Sequence, residues 1–99
     1  MNKLRQKVLK RSKGLCELCH SSYMVQVHHI LGGRGRRKQQ ERLETLILLC
    51  WDCHHGNYGV HGKNGRELDL KLKLDLQGKY RKEGYTDDEI RELMGGKIY

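Results

Sequence analysis

The run Thr45-Leu46-Ile47-Leu48-Leu49-Cys50-Trp51-Asp52-Cys53-His54-His55 decides how this chain folds. It opens as a short apolar stretch, read as the second strand of a hairpin. It then delivers two thiols and two imidazoles into a tight turn. Upstream, and separated by 30 residues, Cys16-Glu17-Leu18-Cys19 forms a matching knuckle. Each Cys-x-x-Cys pair puts two thiolates on one turn, where backbone N–H groups support the sulfurs. Two such turns brought together make a tetrahedral sulfur cage that suits Zn²⁺. Two disulfides, a redox pair or inert core thiols are the competing readings; spacing and compartment favour zinc. With thiolate at all four positions no site stays open to water, so the expected zinc is structural.

The composition calls for such a device. Ninety-nine residues make one domain, and only 36% are hydrophobic, with no Phe. A chain this short and lean rarely stabilises itself through its core alone. A zinc clamp joining the N-terminal segment to the second strand would add folding energy. No apolar run approaches the roughly 18–20 residues that span a bilayer. The basic N-terminus is followed by no apolar stretch of the secretory kind. Reduced thiols in a reducing compartment are therefore expected.

Around the two knuckles, residues 2–12 read as a basic helix with Leu4 and Val8 on one face and Gly14 as its stop. Residues 23–30, Tyr-Met-Val-Gln-Val-His-His-Ile, are β-prone and carry two adjacent histidines. Residues 32–38 form a glycine- and arginine-rich loop. Residues 66–82 alternate leucine with polar residues, which is the strand period. Their residue types favour helix, and Asn64 with Glu67 has capping-box spacing, so helix is preferred and strand stays open. Thr86 and Glu89 form a second capping box before Ile90, Leu93 and Met94, and Gly95-Gly96 closes that helix. The expected architecture is α+β: a core over 15–62, a basic N-terminal helix over 1–14 and a helical extension over 63–99.

The net charge is +8. Residues 1–42 hold eleven basic and two acidic side chains, and residues 43–99 hold nine and ten. A positive field gathered in one half suits a polyanion such as nucleic acid. Arg34, Arg36, Arg37 and Lys38 are the leading backbone contacts, followed by Lys3, Lys7, Lys10 and Arg11 of the first helix. Binding to a membrane surface is the weaker reading, because that helix has a thin apolar face.

With cysteine filling the zinc site, the histidines are free for other work. His28 and His29 are neighbours on a strand and point to opposite faces, which argues against one cation taking both. One ligating and the other acting as base is the natural division. His54 follows Cys53, so the knuckle fixes it. His61, seven residues on, shares a face with His54 if a helix continues. This set suits metal-assisted phosphodiester cleavage, where a cation stabilises charge on phosphate oxygens and a neutral imidazole activates water.

These stretches resemble the HNH endonucleases, also called ββα-metal or His-Me finger nucleases, and in particular the small zinc-ribbon members of bacteriophages and prophages. Cys16-x-x-Cys19, Val27-His28-His29-Ile30, Leu48-Leu49-Cys50-x-x-Cys53-His54 and Gly59-Val60-His61-Gly62 carry the resemblance over residues 16–62. It implies a ββα-metal finger, with His29 the general base and His28, His54 and His61 ligands of a catalytic divalent cation (Mg²⁺, Mn²⁺, Ni²⁺ or Zn²⁺). His54 is also the last letter of the motif. The middle letter is usually Asn, five residues before the third Cys; here it is Thr45, which lacks the amide's two-ended reach. Asn57 is the alternative supplier of that amide. The resemblance further implies DNA as partner, a phage or prophage origin, and action in the bacterial host cytoplasm as monomer or homodimer. Relatives are often encoded near terminase genes, which brings phage packaging proteins in as a further partner class. The competing function is a zinc-ribbon nucleic-acid-binding module without catalysis. The histidine set argues for the enzyme and Thr45 for the binder.

Overall fold

Four residues from each β-prone run pair in the computed structural model, which describes residues 2–31 and 42–99. Strand β1 (Gln26–His29) runs antiparallel to β2 (Leu46–Leu49), with Gln26 opposite Leu49 and His29 opposite Leu46. Both strands are shorter than the runs that predict them. Tyr23 and Met24 form a turn instead of extending β1. Thr45 closes a 3₁₀ turn (Leu43–Thr45) instead of opening β2. Its hydroxyl donates to the Arg42 carbonyl at 2.9 Å and accepts from the Arg42 N–H at 3.1 Å. A threonine side chain bonded to nearby backbone in this way competes with the ladder.

A two-stranded sheet is marginal in water unless something covers it. Alternation along β2 recruits cover on both faces. Leu46 and Leu48 pack with Val8, flanked by Leu4 and Leu9, from helix α1 (Asn2–Ser12). Leu49 faces the other way, beside Cys16 and Cys50, with Ile47 at the edge of that cluster. Helix α1 stops where expected. Lys13 and Gly14 turn left-handed, and the Gly14 N–H reaches the Leu9 carbonyl at 3.0 Å.

Helix α2 (Trp51–His55) follows β2 directly and packs against both strands. Residues 66–82 form one helix, α3 (Arg66–Lys82). The helix uses the alternating leucines unequally: Leu72 and Leu76 are buried with Tyr80, while Leu70 and Leu74 are exposed. Asp69 pairs with Lys73 at 2.8 Å and Lys71 with Asp75 at 2.9 Å, four residues apart, the spacing at which side chains meet on a helix. The expected capping box at Asn64 and Glu67 does not form. Gly65 is the N-cap without side-chain help, and the Asn64 amide donates to Asn57 Oδ1 at 3.2 Å instead. Helix α4 (Asp87–Leu93) does have its reciprocal box between Thr86 and Glu89. Ile30 and Leu31 join Leu72, Leu76, Tyr80, Ile90 and Met94 in one cluster, so the C-terminal helices pack on the end of β1. Arg42 ties the 3₁₀ turn to them, donating to the Leu93 carbonyl at 2.7 Å and the Tyr80 hydroxyl at 3.3 Å. The chain is therefore α+β, and no helix among the described residues is long and apolar enough to cross a membrane.

Candidate metal centres

The first knuckle is stitched to β2 before any metal is considered. The Glu17 N–H donates to the Leu48 carbonyl at 2.9 Å, and the Leu48 N–H donates to the Glu17 carboxylate at 2.8 Å. Arg11 clamps that carboxylate at 2.8 and 2.9 Å and donates to the carbonyls of Leu43 and Leu46 at 3.0 and 2.6 Å. Arg11, a candidate DNA contact by sequence, thus joins α1, the knuckle and β2. The second knuckle is the start of α2. The four sulfurs of Cys16, Cys19, Cys50 and Cys53 lie within 4.8 Å of one another. Cys19 is 3.5 Å from Cys50 and 3.8 Å from Cys53, sulfur to sulfur. A tetrahedral zinc with bonds of ~2.3 Å requires sulfur edges of about 3.8 Å, so the cage fits zinc. All four are free thiols. Burial opposes ionisation of Cys16, but backbone N–H groups of Cys19, Cys50 and Leu18 outweigh it and lower its thiol to about 7. Burial and the neighbouring thiols push Cys53 up. Crowded sulfurs of this kind need a cation before all can be thiolates.

The second cluster also draws on α2. His28 projects from β1, His54 from α2, and His61 from the segment beyond; one ring nitrogen from each lies within 4.8 Å of the others. The ring centroids are 4.8 to 5.2 Å apart. His28 and His54 are buried and His61 is exposed, so the cluster is open on one side. Nε2 of His28 is buried without a hydrogen-bond partner. A buried polar atom left this way is costly unless something binds it, and a divalent cation is the ligand that two further imidazoles would share. Nδ1 of His54 lies 3.1 Å from Gln26 Oε1. Donation to Gln26 would leave Nε2 of His54 free to ligate a cation, the usual outer support of a ligating histidine. Burial, then the neighbouring imidazoles, pushes His28 and His54 each down to about 4. Neutral rings are the form that ligates metal.

His61 arrives by a route the helical reading did not foresee. Helix α2 ends at Gly56, and glycine recurs at 59, 62 and 65. Each glycine N–H donates back: Gly56 to Asp52, Gly59 to Gly56, Gly62 to Gly59 and Gly65 to Gly62, at 2.8 to 3.2 Å. The His61 N–H then bonds the His54 carbonyl at 2.8 Å. A Cβ on Gly62 would overlap the Gly56 carbonyl oxygen, and one on Gly65 that of Gly59. Only glycine permits backbone to approach backbone this closely.

His29 stands outside the three-imidazole cluster, next along β1 from His28. Thr45 is buried, with its side chain turned to Arg42, and its carbonyl accepts the Ile30 N–H at 2.9 Å. Lys3, Lys7 and Lys10 are exposed on α1. Arg34, Arg36, Arg37 and Lys38 lie outside the described residues. Asn57 bonds Asn64 and so supports the glycine turns. Gln26 escaped notice in the sequence, because its role depends on a contact across 28 residues. No family model, curated protein or solved structure compared with the chain matches it.

Proposed function

We propose that this chain is a metal-dependent endonuclease of the ββα-metal type that hydrolyses phosphodiester bonds in DNA. The observation that carries the reading is the convergence of His28, His54 and His61 around the unpartnered Nε2 of His28. These three would hold the catalytic cation, and the four cysteines a structural zinc. When bound, the cation supplies electrostatic stabilisation of charge building on the phosphate oxygens. His29 takes the proton from the attacking water as general base. The hydrogen bond from Ile30 to the Thr45 carbonyl anchors the chain immediately after His29. The main chain of Thr45 thus braces the base where the family uses an asparagine side chain. The net charge of +8 favours a polyanionic substrate.

Thr45 also favours a second reading, a zinc module that binds nucleic acid without cutting it. Plasmid nicking with Mg²⁺, Mn²⁺ or Ni²⁺ separates the two. The nuclease reading expects nicking that His29→Ala abolishes while zinc content and fold persist. Equal nicking by that variant removes His29 as the base, and no nicking with any of the metals leaves the binding module.

A further inference from the structure

Trp51 is the chain's single tryptophan, in a protein with no phenylalanine and a lean core, yet it is 41% exposed. Burying such a ring would stabilise the fold, so its exposure is a cost. It does not stand alone. Its backbone N–H donates to the Tyr23 backbone carbonyl at 3.0 Å, which joins α2 to a turn carrying Tyr23, 62% exposed, and Met24, 57% exposed. Met24 holds a φ of 46° there, a conformation that side-chain-bearing residues rarely adopt. One helical turn on from Trp51 lies His55, ring centroids 6.2 Å apart, and His55 is 4.2 Å from His54 in the imidazole cluster. Rings therefore run without a break from Trp51 to the candidate cation site.

We propose that Trp51, supported by Tyr23 and His55, is a stacking platform for an unpaired base of single-stranded DNA lying beside the imidazole cluster. The proposal rests on the reading above for the identity of its ligand, and deepens it by naming the form of the substrate. An aromatic face stacks on a base at least cost when that base is already free of a duplex stack. Asp52, exposed next to Trp51 in α2, repels phosphate. Attraction at this spot therefore comes from the base, while the cation site beside it takes the backbone. The net charge of +8 draws the strand in. An apolar protein partner would use the same rings but would not need the adjoining imidazoles.

Because Trp51 is the only tryptophan, its fluorescence reports the platform directly in the zinc-loaded chain. A short single-stranded oligodeoxynucleotide should quench it, and an abasic strand of equal length should bind without quenching. By anisotropy of a labelled strand, Trp51→Ala should lose roughly fivefold to a hundredfold in affinity, as expected for one base–aromatic stack, and Trp51→Phe should keep most of it. Trp51→Ala with unchanged zinc content and unchanged affinity overturns the platform, as does equal quenching by the abasic strand. If nicking persists in either case, the nuclease reading stands without it. Base-dependent quenching with no nicking in any metal supports the platform and sinks the nuclease. Failure to bind DNA of any form sinks both.

Discussion

At the scale of the residue, His28 combines burial with an unpartnered nitrogen, and both have measurable consequences. Burial, then His54 and His61, lowers its proton affinity to about 4 in the native state, against about 6.5 in an unfolded chain. Above pH 6.5 neither state holds the proton and stability is indifferent to it. Between about 6.5 and 4 the unfolded chain takes up a proton that the native chain refuses, so stability falls as the pH falls. Urea unfolding across that range should therefore show a shallower decline in His28→Leu than in the parent; parallel declines would remove this account of His28. Gln26 makes a second residue-scale test. It is exposed, so its loss should spare the fold, yet it orients His54. Gln26→Ala should weaken cation binding at the imidazole cluster by about 10–100-fold, the usual cost of losing an outer partner. Calorimetry with zinc content monitored would check it, and undiminished binding would show that His54 needs no such support.

At the scale of the element, the glycine turns between α2 and α3 are the part most tightly constrained by backbone contact. Gly62→Ala should destabilise the chain by about 1–3 kcal/mol through overpacking and displace His61. Gly78 is the opposite case: it sits inside α3 with no atom within 4 Å of an added Cβ. Gly78→Ala should stabilise by about 0.5–1 kcal/mol through helix propensity alone. Denaturant midpoints compare the two, and substitutions of the same sign would contradict the contact reading. Thr86→Ala should cost about 1 kcal/mol by removing the α4 cap, visible as a lowered unfolding midpoint. These elements also show which sequence signals carry. The Thr86 box is a local code and forms as read. Asn64 has the same spacing but bonds Asn57, because the turns that precede α3 place it there. The three-residue recurrence of glycine escapes the sequence reading, because its meaning lies in carbonyl oxygens three and six residues away.

At the scale of the whole molecule, the two clusters share α2, which carries Cys53 and His54 side by side and the chain's one tryptophan two residues before them. The cysteine set is legible from spacing and ligand chemistry; strand alternation says only that His28 and His29 do not share a cation, and it is the resemblance that groups His28 with His54 and His61, which the fold brings together. The Arg11 guanidinium finds one carboxylate and two carbonyls within the chain, a structural placement no charge count reveals. The alternating leucines of α3 resolve in favour of propensity, since Leu72, Leu76 and Tyr80 face the cluster that includes Ile30 and Leu31.

Two kinds of cation position, sulfur-lined and nitrogen-lined, are the centre of this picture, and metal stoichiometry tests them together. Calorimetric titration of the tag-free, zinc-loaded chain with Ni²⁺, a metal that imidazole suits, should give one further site. His28→Ala should abolish that site while zinc remains bound to the cysteines. A single metal in total, or a second one that binds His28→Ala as it binds the parent, would contradict the account.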